Sequence, residues 1–172
     1  NPRAEMWWAY GSPSSTFSVV ATLASTTNAS GTQVAIVRVD GAANEMPING
    51  EYSNTAGDAA VCDGSGANNA TSTIGATVSN ANSLILNSLD PRNLTTAQLA
   101  STTDDADYTR HYAAQNFIDT SGGSDMIIYS RGNAPTGTDT ITHVLPTAKA
   151  WVMTVIEIKE AASAAVLTQN DF

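Results

Sequence analysis

The sequence predicts an all-β protein, an antiparallel two-sheet β-sandwich of about nine or ten strands with minimal helix. Three observations predict it. The apolar runs are short and rich in β-branched and aromatic residues. Clusters of Gly, Pro, Asn, Asp and Ser separate them, as in sandwiches and barrels. Finally, no unit of ~20–50 residues repeats, which sets solenoids and propellers aside.

Taken in order, residues 5–10 (EMWWAY) read as a first strand, ended by the turn GSPSS. Residues 16–24 alternate, with Phe17, Val19, Ala21 and Leu23 on one face and Ser18, Val20 and Thr22 on the other. TTNASG is a connection of hairpin length. Residues 32–40 (TQVAIVRVD) are apolar on both faces except for Arg38, the pattern of a central strand. Residues 41–72 are small and polar, and are expected to wander over one end of the sandwich with little regular structure.

Strand pattern returns at 72–79 and 83–90, with NAN as a tight turn between them. Residues 93–101 (NLTTAQLAS) offer one helical turn, with Asn93 as its N-cap. In 108–118, Tyr108, Arg110, Tyr112 and Ala114 alternate with Thr109, His111 and Ala113. Residues 126–131 form a further strand, and 138–146 place Thr138, Thr140, Thr142 and Val144 on one side.

The run AWVMTVIEIK, 150–159, is the most apolar of all. Val152, Thr154, Ile156 and Ile158 form one face; Trp151, Met153, Val155 and Glu157 form the other. A strand apolar on both sides belongs in mid-sheet, and Greek-key connections let a late strand slot between earlier ones. Residues 1–160 therefore read as the sandwich domain. Residues 161–172 lack alternation and read as a C-terminal tail, or as an arm that docks elsewhere.

Composition bounds the function. A chain of 172 residues suffices for one domain with a sizeable core. Charged residues are only 13% against 42% hydrophobic, about half the usual charged fraction. Ser, Thr, Asn and Gly must then coat the surface, a style common in secreted, cell-surface and virion proteins. The net charge of −9 repels phosphate backbones and anionic membranes, so neither nucleic acid nor membrane is expected as a partner. No apolar run approaches the ~20 residues of a helical membrane span. One cysteine, Cys62, excludes an internal disulfide framework. It reads as a half-buried or unreactive thiol, because no base lies near it in sequence. The chain opens on Asn1 with no signal-peptide pattern, and is expected to be cut, processed or incompletely represented there.

The order of these runs carries a resemblance. WWAYGSPSS is followed by TFSVVATL, then VRVDGAANEMP, NSLIL, DMIIYSR, TGTDTITH and a closing W-x-M-x-x-I-E-I-K. Over residues 5–160 this resembles a jelly-roll-type β-sandwich domain of phage structural proteins and bacterial extracellular proteins. The resemblance implies a jelly-roll-like fold. It also implies strand-forming sequence before EMWWAY, which is missing here. An open sandwich exposes edges; either a neighbouring copy supplies the missing strand, or an upstream segment does.

Candidate sites are sparse, and no catalytic or cofactor-binding set is expected. His111 and His143 have no partner at ligand spacing and read as structural. Asp104, Asp105 and Asp107 in TTDDAD are weak calcium candidates, outside the EF-hand pattern. DGSG (63–66) and DTSGGSD (119–125) are weaker still. Glu5 and Glu157 are the strand acids that paired-carboxylate hydrolysis would need, and Glu157 reads as an exposed face residue. Trp7 and Trp8 must point to opposite faces of a regular strand, so at least one needs a cover: a neighbouring subunit, loops of its own chain, or a glycan stacked with Trp151. Trp7, Trp8, Tyr10 and Tyr112 are thus the interface or ligand candidates. The sequons at Asn28, Asn69 and Asn93 matter only in a eukaryotic secretory host.

The expectation is a non-enzymatic structural protein of an extracellular assembly, located in a virion or on a cell surface. Its partners would be copies of itself and other virion or filament proteins. A phage capsid decoration protein or head or tail fibre component comes first. A bacterial or archaeal surface filament subunit, or a carbohydrate-binding or adhesive module, is the alternative.

Overall fold

In the computed structural model, which describes residues 4–9, 20, 33–43, 47–55, 68–119 and 122–160, nine consecutive residues, Ser83–Pro91, are all buried. They are the middle strand of a five-stranded sheet. The elements run β1 (Ile48–Thr55), β2 (Asn69–Val78), β3 (Ser83–Pro91), α1 (Thr96–Ala100), β4 (Thr109–Asp119), β5 (Gly122–Ala134), β6 (Gly137–Lys149) and β7 (Trp151–Ile158). One sheet has the order β1-β7-β3-β5-β4 and the other is the pair β2-β6. Every pairing is antiparallel. The protein is thus mostly β, in two antiparallel sheets, an arrangement compatible with a β-sandwich. Seven strands lie among the described residues, fewer than the nine or ten expected.

The pairing is nested. β1 joins β7, β2 joins β6 and β3 joins β5, as if a long antiparallel ribbon had been rolled up. β7 therefore lies between β1 and β3, the interior place that its two apolar faces require. The face carrying Ile85, Leu89, Ile127, Tyr129, Met153 and Val155 packs on Ile74, Val78, Ile141 and Leu145 of the two-stranded sheet. At its open side, the Tyr52 hydroxyl of β1 donates to the Thr77 carbonyl of β2 at 2.9 Å. On the far side, Thr103 and Val144 exchange backbone hydrogen bonds at 2.8 and 2.9 Å and cover β6. The outward face of β6 holds Thr138, Thr140, Thr142 and Val144, as its alternation predicts. Asn82 (φ 64°) turns β2 into β3, and Gly137 (φ 121°) opens β6 in a conformation that suits glycine.

Four expectations need correction. Residues 4–9 are in no ladder; they reach the core only through Met6. Residues 33–39 are not a central strand. They alternate half-buried Gln33, Ala35, Val37 and Val39 with exposed Val34, Ile36 and Arg38, and belong to neither sheet. The segment runs across the outer face of the five-stranded sheet. Gln33 Nε2 donates to the Ala114 carbonyl of the edge strand β4 at 3.2 Å, and Ala42 bridges to Glu160 just past β7. It is a strap over Leu84, Leu86, Ile128, Ile156 and Ile158. A sheet with two apolar faces needs two covers, and a crossing segment covers several strands at once. Residues 41–72 do contain a strand, β1, hidden in sequence because an edge strand with one neighbour needs few apolar residues. The helix is capped by Thr95, not Asn93: Thr95 Oγ1 accepts from Gln98 N–H at 3.2 Å, and Gln98 Oε1 accepts from Thr95 N–H at 2.8 Å. Asn93 takes φ 57° in the preceding bend. The expected strand 16–24, apart from Val20, and the tail 161–172 lie outside the described residues.

Leu89→Ala, at a fully buried position in the mid-sheet strand, is expected to cost about 2–5 kcal/mol of stability. Thr140→Ala, on the outward face, is expected to cost under about 0.5 kcal/mol. Urea unfolding midpoints check both; equal effects would contradict the assignment of the two faces.

Candidate functional site

Among the described residues a dense polar cluster lies where the loop 102–108 folds over β6. The acids Asp104, Asp105 and Asp107 all sit here, and each faces donors of its own chain. Asp104 takes Arg110 Nε through both oxygens at 3.0–3.1 Å, with Arg110 Nη2 and the Tyr129 hydroxyl (2.8 Å) also donating to Oδ1. Arg110 spends its other donors on the Leu99 and Thr102 carbonyls, at 3.0 and 2.7 Å. Asp105 accepts from the backbone N–H groups of Thr142 (2.9 Å) and Asp107 (3.1 Å). Asp107 pairs with Arg131 Nη1 at 3.2 Å, and Arg131 also reaches Asp139 at 2.8 Å. Asp139 in turn accepts from the Tyr108 hydroxyl at 2.8 Å.

These contacts latch the loop to β4, β5 and β6. Among the described residues no group of three His, Cys, Asp or Glu side chains is placed to hold a metal ion. The sequence marked these acids as oxygen-rich; it gave no sign that Arg110 and Arg131 would turn toward them.

Beneath the loop lies His143, fully buried. Its ring stacks on Tyr129, centroids 3.9 Å apart and planes 13° from parallel. Nδ1 accepts from Asp105 N–H at 3.2 Å, so the proton sits on Nε2, which donates to Asn87 Oδ1 at 2.9 Å. Asn87 Nδ2 passes the chain on to the Thr154 carbonyl at 3.1 Å. Burial holds the imidazole neutral and lowers its pKa to about 4, against the pull of Asp104 and Asp105. His111 Nε2 lies 2.6 Å from the Ser130 hydroxyl, joining β4 to β5 at a register shift. A Ser–His contact is where acyl-transfer chemistry starts, but this hydroxyl belongs to a buried residue.

Glu157 overturns its expectation. It is 1% exposed, not a surface acid. Its Oε1 accepts from Ser79 N–H, Asn80 N–H and the Ser83 hydroxyl at 2.8–3.0 Å, closing the β2–β3 turn. It cannot pair with Glu5, which is exposed and outside the sheets. Two further acids are buried: Asp90, which the sequence did not single out, and Asp125, which it marked only within the weak calcium stretch 119–125. Asp90 is pushed up to about 7 by burial, opposed by the 2.6 Å hydrogen bond from Ser88. Asp125 is pushed up to about 6 by burial, opposed by its bond from Leu94 N–H.

The interface candidates separate. Trp7 is 85% and Trp8 50% exposed, so neither enters the core. Trp7 Nε1 donates to Glu5 at 3.2 Å, and Glu5, Met6, Trp7 and Trp8 line an open depression. Trp151 is 3% exposed, in the core between the two sheets, and cannot join them in a stacking platform. Tyr112 packs against the outer cluster, while Tyr10 and Cys62 lie outside the described residues. The sequence reading missed Val34 (55%) and Ile36 (46%), exposed on the strap; their signal was the second apolar face of VAIV. Among the described residues no helix is long and apolar enough to cross a membrane.

Compared with known proteins, the chain matches no protein family, no curated protein and no solved structure.

The buried groups set opposite pH trends. Asp90 and Asp125 have folded pKa values above the ordinary ~3.9, so their contribution is full in acid and is lost as pH rises from about 4 through about 6 and 7. The folded pKa of His143 lies below its ordinary value, so its contribution is full above ~6.5 and is lost as pH falls toward about 4. Asp90→Asn is therefore expected to remove most of the stability decline between pH ~5 and ~8. Unfolding midpoints across that range check it; an unchanged slope would refute the burial of Asp90 as its source.

Proposed function

We propose that this chain is a non-enzymatic structural subunit of an extracellular assembly that works by burying apolar surface against copies of itself. The observation that carries the reading is the exposure of Trp7, Trp8, Val34 and Ile36 on two extended segments outside both sheets. Single exposed apolar residues are ordinary, but large aromatics and a two-faced apolar strap mark interaction surfaces. The acidic, lysine-poor composition argues for protein rather than nucleic-acid neighbours.

On this reading the finer fold is a jelly-roll-like sandwich. What supports it is the nested pairing, with the Thr103–Val144 bridge where a further strand would lie beside β6. The proposed setting is a virion, as a capsid decoration protein or a head or tail fibre component, with a bacterial or archaeal surface filament as the alternative. Its location would then be the virion or cell surface, and its partners other proteins of that assembly.

A second reading has its own observation. The depression beside Trp7 and Trp8, with a carboxylate on Trp7 Nε1, offers an aromatic platform of the kind that sugars stack on. A glycan array separates the two.

The first reading is tested by light scattering at micromolar concentration and across dilution. A dilution-resistant assembly is expected, with Trp7→Ser plus Ile36→Asp reducing it to monomer while the unfolding free energy from urea titration changes by less than about 1 kcal/mol. A wild-type monomer at every concentration sinks the reading, and specific glycan binding lost in Trp7→Ala would replace it.

A further inference from the structure

His143 joins the loop 102–108 to the sheets through hydrogen bonds whose directions are fixed from end to end. Asn87 Nδ2 donates to the Thr154 carbonyl at 3.1 Å and to the Ser88 carbonyl at 3.4 Å. An amide oxygen in that place would face two carbonyl oxygens, so Asn87 turns Oδ1 toward the imidazole. Oδ1 can only accept, so His143 Nε2, 2.9 Å away, carries the proton. Nδ1 is left as an acceptor, and the donor that it meets is the Asp105 N–H at 3.2 Å. A second proton on the ring would sit on Nδ1 and point at that N–H, donor against donor.

The same stretch of loop covers an edge of β6. Among the described residues β6 has β2 as its one ladder partner. On its other edge, Thr103 and Val144 exchange backbone hydrogen bonds at 2.8 and 2.9 Å. Asp105 Oδ2 accepts from the Thr142 N–H at 2.9 Å. Residues 103–105 thus carry both the bonds that cover the edge and the bond that senses the protonation of the ring.

We propose that residues 103–105 are a proton-sensitive strap: neutral His143 holds them on the edge of β6, and protonation of His143 loosens them and opens that edge. Tyr129 of β5 stacks on the ring and Tyr108 meets it edge-on at 6.3 Å. Of the charged groups around it, Asp104 and Asp105 on the loop favour the imidazolium and Arg110 on β4 opposes it. Burial outweighs them and holds the pKa at about 4 in the closed form, against the ordinary 6.5. The open form therefore binds the proton more readily, and falling pH favours opening. Each pH unit between ~6.5 and ~4 favours it by up to about tenfold, and the whole interval by up to about 300-fold. Below about 4 both forms are protonated and the dependence ends. The Arg110–Asp104 and Arg131–Asp107 pairs set what opening costs at neutral pH. The inference concerns this loop alone and is independent of the assembly reading, which concerns Trp7, Trp8, Val34 and Ile36.

The test is amide hydrogen exchange between pH ~7 and ~4, expressed as protection so that the intrinsic pH dependence of exchange drops out. The amides of Thr103, Asp105, Thr142 and Val144 read the strap; those of Leu86 and Leu89 in β3 read global unfolding. Protection of the first four is expected to fall by at least about tenfold over this range and to stay below that of β3. Flat protection overturns the link to the proton. Protection equal to that of β3 at every pH overturns the strap, because the edge would then open only with the whole fold.

His143→Phe keeps a ring on Tyr129 without a titrating nitrogen, and is expected to remove the pH dependence. A dependence that persists overturns His143 as its source. The unchanged protein supplies a second measurement, the 15N shifts of the His143 ring. The Nε2–H tautomer, titrating at about 4, is expected. The Nδ1–H tautomer, or a midpoint at the ordinary ~6.5, overturns the proposal.

Discussion

The constraint on which the rest of the structure depends is that β3 and β7 are apolar on both faces. A strand of that kind is stable only between neighbours and between layers. β3 meets the first requirement by pairing with β7 and β5, and β7 by pairing with β1 and β3. The second requirement needs two separate covers. β2 and β6 supply the inner one. The strap and Met6 supply the outer one, over Leu84, Leu86, Ile128, Ile156 and Ile158. The strap is one extended segment, so its own far side, Val34 and Ile36, faces water. The exposed apolar surface on which the functional proposal rests is thus a consequence of covering a two-faced sheet with a one-residue-thick layer.

Between and beside the two sheets the polar groups follow a different logic. A buried polar atom must be paired within the chain or it costs stability. Glu157 satisfies this with three donors from the β2–β3 turn. His143 does so as a neutral imidazole held between Asp105 N–H and Asn87. Asp104 pairs with Arg110 and accepts from the Tyr129 hydroxyl. Glu157 and His143 have the burial, and His143 the displaced pKa, that catalytic residues often have. Their partners, however, are turns, loops and strand edges, which makes them the joints of the fold.

Much of this was legible in sequence, and the reason is periodicity. β6 showed its Thr138, Thr140, Thr142 and Val144 face, and β7 showed both of its faces, because side chains alternate with a period of two along any strand. The turn at Asn82 was legible because short polar residues tolerate positive φ. β1 was not: INGEYSNT has Ile48 and Tyr52 as its large apolar residues, and its strand character comes from β7 alongside it. Glu157 looked like a surface acid because the donors that bury it lie more than seventy residues away in sequence. The exposed tryptophans were legible as a pair that one strand cannot bury. That neither enters the core became visible only once the inner core was seen to be closed by Trp151 and its neighbours.

By itself, the sequence determined the local alternatives: which segments extend, which faces are apolar and where the chain turns. Those depend on φ/ψ preference and on side-chain period, which are properties of neighbouring residues. The tertiary structure alone decided which extended segments enter a ladder. VAIVRV and WVMTVIEI are both apolar on two faces, yet one lies across a sheet and the other lies within it. A ladder needs a partner backbone with free N–H and C=O groups at ~4.8 Å, and that partner is supplied by residues distant in sequence.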